Sequence, residues 1–108
     1  MAKTQKESQF KSAVYRWLSF QPNTFCWINR TAGIPLPNGG FRPNDQAGIS
    51  DITGIHGGKF FALELKVGKN KATPEQEKFL ISVDRVGGYS AVIRSMEDLE
   101  EAFNEIKR

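Results

Sequence analysis

Residues 51–67 read Asp-Ile-Thr-Gly-Ile-His, then Gly-Gly, then Lys-Phe-Phe-Ala-Leu-Glu-Leu-Lys-Val, and this stretch restricts the fold more than any other. Two runs rich in β-branched, aromatic and aliphatic residues flank the pair Gly57-Gly58. A glycine pair between two such runs is a strong signal of a two-residue hairpin turn. Such a turn sets the register of everything beside it. It places His56 opposite Lys59, Ile55 opposite Phe60, Thr53 opposite Ala62 and Asp51 opposite Glu64. Alternation then puts Phe61, Leu63, Leu65 and Val67 on one apolar face, with Glu64 and Lys66 together on the other.

The rest of the chain supplies the partners of this hairpin. From Gln5 to Leu18 the residues Phe10, Ala13, Val14, Trp17 and Leu18 form one helical stripe. Thr4 with Glu7 reads as its capping box, and Pro22 lies beyond its end. Thr24 to Arg30 reads as a strand. Residues 31–48 hold three prolines and four glycines without periodicity and read as a long loop. After a basic turn over 68–72, Thr73-Pro74-Glu75-Gln76 combines an N-cap, a proline at the first helical position and a second capping box. Gly87-Gly88 ends that helix, Tyr89 to Arg94 is a fourth strand, and Ser95 caps a last helix bearing Leu99, Ala102, Phe103 and Ile106. The order α-β-β-β-α-β-α implies a single α/β domain over 1–108. A three-stranded meander and a crossover helix lead to a parallel fourth strand, giving a mixed four-stranded sheet with helices on both faces and an additional C-terminal helix.

Charge divides the chain unevenly. Residues 1–71 carry ten lysines and arginines against four acids, and residues 72–108 carry five against eight. The basic part suits a polyanion such as nucleic acid, or is a solvated surface of uneven charge. No run of 18 apolar residues spans a membrane, and the polar N-terminus does not read as a signal peptide. A lone Cys26 forms no internal disulfide and no cysteine-pair zinc motif, so a cytoplasmic location is expected.

The register carries the chemistry. Opposed residues have Cβ atoms about 5 Å apart, where like charges repel. Asp51 and Glu64 are such a pair, and a divalent cation between two carboxylates resolves the conflict. Lys66 shares their face. Glu-x-Lys alone is a common triplet, and Asp51 alone is also a strand-entry residue type; it is their coincidence in one register that points to a metal site. Glu7 either caps its helix or, sharing a face with Phe10, Val14 and Trp17, points toward the sheet. Gln76 either caps Thr73 or faces the same site. The segment from Gly54 to Lys59 is one residue short of a phosphate loop, with Phe60 where Ser or Thr is needed. His56, the one histidine, excludes His-pair zinc sites and reads as a solvent-facing residue near the turn. No serine-nucleophile motif is present.

Gly48-Ile-Ser-Asp51-Ile-Thr-Gly54, Gly58, Ala62-Leu-Glu64-Leu-Lys66 and Gln76 together resemble the VRR-NUC family of the PD-(D/E)XK nuclease superfamily. The resemblance covers most of the chain; Ser50 stands where the superfamily name records a proline. It implies a restriction-endonuclease-like core and Mg²⁺ or Mn²⁺ held by Asp51, Glu64 and the backbone carbonyl of Leu65. Glu7 would act through metal waters or a second metal, Lys66 would position the attacking water or offset phosphate charge, and Gln76 would orient Lys66 or a phosphate. Stand-alone members resemble phage-encoded homodimeric nucleases acting on branched DNA such as Holliday junctions, whereas fused members have other substrates, so exonuclease and flap activities stay open. Arg30, Arg42, Lys69 and Lys71 are candidate DNA contacts, and would be the main ones in a catalytically silent nucleic-acid module. A subunit-interaction domain using the acidic last helix is the remaining alternative.

Overall fold

The computed structural model describes residues 3–29, 34–35, 37–39, 41–42 and 48–108, with side chains left out at 3–5, 34–35 and 41–42. Its elements are α1 (Lys3–Ser19), β1 (Thr24–Ile28), β2 (Ile34–Pro35), β3 (Phe41–Arg42), β4 (Ile52–His56), β5 (Lys59–Leu65), α2 (Pro74–Arg85), β6 (Tyr89–Ile93) and α3 (Met96–Lys107). The hairpin register is the one the diglycine turn implies, from His56↔Lys59 to Ile52↔Leu63. Both turn residues have positive φ, 55° at Gly57 and 86° at Gly58.

The main sheet has the order β1-β4-β5-β6. β1 and β5 flank β4 in antiparallel pairings, and β6 joins β5 in parallel after the α2 crossover. The protein is therefore α/β, with a mixed four-stranded sheet and helices on both faces. Val14 and Leu18 of α1 and Leu99, Phe103 and Ile106 of α3 bury against Ile52, Phe61, Leu63 and Ile93. Leu80 and Val83 of α2 bury against Ala62 on the opposite face. Alternation along β5 dictates this division, since odd-numbered side chains meet α1 and α3 while even-numbered ones face α2. Gly54 has no room for a side chain, because a Cβ there would lie 2.6 Å from the Phe61 ring and 2.7 Å from the Cys26 Cβ. Among the described residues no helix is long and apolar enough to cross a membrane.

Several local expectations are corrected. α1 already includes Lys3, so Thr4 lies within the helix and is not its N-cap. Ala13 is exposed although it completes the apolar spacing, because the stripe that reaches the sheet is narrower and centres on Val14 and Leu18. Within the expected loop, Ile34–Pro35 pairs antiparallel with Phe41–Arg42 as a separate two-stranded ribbon. His56 does not face solvent. An even number of residues on from Ile52 and Gly54, it turns to the same side of the sheet, where its Nδ1 lies 2.8 Å from Thr24 Oγ1 and its ring meets Phe103 edge-on at 5.0 Å. By contrast, the Thr73 and Ser95 caps form as read, the first with both reciprocal hydrogen bonds of the capping box.

Candidate functional site

Sequence alone extends β1 to Arg30 and β5 to Val67, whereas the strands end at Ile28 and Leu65. Asn29 donates its backbone N–H to the Asp51 carbonyl at 2.8 Å. Its side-chain amide donates to the Ser50 carbonyl at 2.9 Å and to Thr53 Oγ1 at 3.0 Å. Asp51 is thereby held at the entrance to β4 by three bonds from one residue. On the other edge the ladder would next require a backbone acceptor for Leu65, and the Asp51 side chain supplies it: Leu65 N–H donates to Oδ2 at 2.9 Å.

That bond also orients a carbonyl. Lys66 N–H donates to Ile93 O of β6, so the neighbouring Leu65 points its N–H toward the β4 edge. In extended chain a residue's C=O leaves on the same edge as its N–H. The Leu65 carbonyl therefore projects to the side occupied by Asp51.

Glu64, next to Leu65 near the end of β5, is 1% exposed and its Oε2 has no hydrogen-bond partner among the described residues. Burial first, then a hydrogen bond shared with Asp51 and the Asp51 charge, push its carboxyl up to about 9, while Lys66 and Lys11 pull the other way. An unsatisfied buried polar group costs about 1–3 kcal/mol. A divalent cation held by Asp51 and Glu64 would replace the proton, give the orphaned oxygen a partner and neutralise both acids. Two carboxylates and a carbonyl with room for water suit Mg²⁺ or Mn²⁺, which keep several waters. No group of three or more His, Cys, Asp or Glu side chains suited to a metal converges among the described residues. Glu7 thus lines the site without joining the pair as a third direct carboxylate.

Glu7, Asp51, Glu64, Leu65, Lys66 and Gln76 all line one cavity of about 720 Å³, between the first half of α1 and the start of α2. Gln76 serves the cap as well, accepting from Thr73 N–H at 2.8 Å through Oε1. Gly48, at φ +85°, seats the segment before Asp51 against α2, where a Cβ would lie 2.5 Å from the Glu75 carbonyl oxygen. Lys69 and Lys71 are exposed on the turn after β5 and do not line the cavity. Arg30 and the side chain of Arg42 lie outside the described residues. Lys11 and Asn29 are site residues that sequence reasoning missed. Lys11 lines the cavity one helical turn beyond Glu7, and its Nζ is 3.8 Å from Asp51 Oδ1. The i,i+4 spacing from Glu7 was the available signal for Lys11; Asn29 had none, because its partners lie 21 and 24 residues away.

No protein-family model matches the sequence, and no curated protein matches it. What the site can do is therefore read from its residues and their geometry.

The Glu64 environment makes stability depend on pH. The folded protein holds this proton up to about 9, whereas the unfolded chain releases it in the ordinary carboxyl range near 4.5. As pH rises between those values the unfolded state loses its proton first, so the metal-free fold loses stability across that window. Thermal melts of metal-free protein from about pH 5 to about pH 8 should show a falling midpoint, and Glu64→Gln should flatten that slope. An unchanged slope in the variant would place the titrating group elsewhere.

Proposed function

We propose that the protein is a metal-dependent nuclease that hydrolyses phosphodiester bonds in DNA. The observation that carries this reading is the buried Glu64 carboxyl, with one oxygen unpartnered among the described residues, set against Asp51 at the wall of a cavity that Lys66 also lines. A purely structural role would select against such a pair. The mixed sheet, the crossover helix and the placement of the two acids and Lys66 are compatible with a restriction-endonuclease-like fold, and they support the resemblance to VRR-NUC nucleases.

Asp51, Glu64 and the Leu65 carbonyl would hold Mg²⁺ or Mn²⁺. When bound, such an ion supplies Lewis acidity toward a phosphoryl oxygen and lowers the pKa of water. Around it, Lys66 offsets the charge that develops on the phosphate and orients the attacking water, and its place just beyond the end of β5, two residues from Glu64 with its backbone N–H bonded to the Ile93 carbonyl, keeps the two groups in fixed relation. Gln76, anchored through its cap bond, fixes the α2 side of the cavity. Glu7, exposed on α1, acts through water.

The proposed substrate is branched DNA, cut by a homodimer. Paired incisions across a junction need two active sites at fixed spacing, and a two-fold dimer is the simplest way to supply them. Phe20 and Phe25, 80% and 69% exposed, are the apolar candidates for the dimer interface, whereas Tyr89 packs against the core. Trp27 is half-buried beside Phe25, and the Phe41 side chain lies outside the described residues.

Incubation with Mg²⁺ or Mn²⁺ and labelled linear, flapped and four-way DNA tests this reading. The four-way junction should be cut fastest, and light scattering should give about twice the 12.1 kDa chain mass. A monomer degrading linear DNA from its ends would replace the junction endonuclease with an exonuclease. No cleavage of any of these substrates with either metal would end the nuclease reading.

A further inference from the structure

Besides the hydrogen bond it shares with Glu64, the Asp51 carboxylate has two partners. Oδ2 accepts the Leu65 amide, whereas Oδ1 faces the ammonium of Lys11 at 3.8 Å. The Lys11 side chain is 35% exposed and that of Asp51 16%, so the pair sits at the mouth of the cavity and not deep within it. The amide bond fixes the carboxylate plane, leaving Oδ1 as the oxygen available to any further ligand. Lys11 arrives there from α1, a different element from the strand that leads into Lys66.

An ammonium and a divalent cation cannot share that oxygen without repelling each other at a few ångströms. The four-carbon lysine stem offers an alternative, since it can swing its charged end while its methylenes stay packed. We propose that Lys11 is a displaceable counter-ion of the Asp51–Glu64 site. It neutralises Asp51 in the metal-free protein, competes with the incoming divalent cation for Oδ1, and is then turned out into the cavity, where its charge is available to a phosphate. This inference rests on Asp51 and Glu64 being a metal site. Lys66 is not displaced in the same way, because no ion pair among the described residues ties it to either acid.

The test is calorimetric titration of the full metal-free chain with Mn²⁺ alone, comparing wild type with Lys11→Gln, Lys11→Met, Lys11→Arg and Asp51→Asn. Lys11→Met keeps most of the aliphatic stem, and circular dichroism checks the folding of each variant. Lys11→Gln and Lys11→Met should bind Mn²⁺ about fivefold more tightly than wild type at low ionic strength, the effect of losing one partly exposed competing ion pair. That advantage should shrink as added salt screens the pair in wild type, a response that loss of packing would not produce. Lys11→Arg should stay within about twofold of wild type, because its charge is retained. Equal or weaker Mn²⁺ binding by folded Lys11→Gln and Lys11→Met overturns the counter-ion role and leaves the metal site standing. Absence of Mn²⁺ binding by wild type, or binding unchanged in Asp51→Asn, overturns the metal site and this proposal with it.

Discussion

Asp51→Asn and Glu64→Ala should each lower DNA cleavage by about a thousandfold or more, while the chain stays folded. The side-chain oxygen kept by the Asp51→Asn change can still accept the Leu65 amide that Asp51 Oδ2 now accepts, so the end of β5 keeps its anchor. What is lost is the charge that pairs with Lys11 and faces Glu64. Glu64→Ala removes the acid whose Oε2 is buried without a partner among the described residues. Relief of about 1–3 kcal/mol from that unsatisfied group opposes the packing lost with the side chain, leaving metal-free stability near wild type. Thermal melts without metal and cleavage assays with Mg²⁺ separate the two effects. Cleavage near the wild-type rate by either folded variant would show that the chemistry lies elsewhere.

Lys66→Ala should reduce the cleavage rate constant by about a hundredfold with little change in DNA affinity, because its contribution grows as phosphate charge develops. Lys66 is half-buried and lines the cavity beside Glu64, a position suited to one reacting group and not to the length of a duplex. Lys69 and Lys71 are exposed on the following turn, outside the cavity. Their alanine variants should instead weaken binding and each lower the slope of log affinity against log salt by about 0.9 on duplex DNA. Single-turnover rates and binding isotherms at several salt concentrations distinguish the two classes. If Lys66→Ala acts only on binding, its assignment to the chemical step is wrong.

Much of this site is legible in the sequence because its information is local. Gly57-Gly58 demands one turn geometry, and a two-residue turn with strict alternation carries Asp51 to Glu64 by counting alone. The Thr73 and Ser95 caps are equally local, each satisfying amides within three residues. Where local signals competed with packing, packing prevailed. Ala13 has the spacing of a core residue and is exposed, and His56 has the look of a turn residue yet lies against Phe103.

Local signals were enough for the order of the three helices and the four main-sheet strands, though not for the β2–β3 ribbon, and for the hairpin register and the presence of two carboxylates and a lysine on one face, because each follows from steric rules acting over a few residues. Long-range packing set what surrounds them. Glu64 became buried and protonated on the face of β5 that packs against α2. The Asp51 carboxylate became a ladder partner because Asn29, beyond the end of another strand, pins its backbone. Lys11 became its counter-ion because burial of Val14 and Leu18 sets α1 against the sheet at a height that brings position 11 to the cavity. Burial, docking height and the meeting of charges from distant segments depend on the sum of many weak contacts, and no short window of sequence contains that sum.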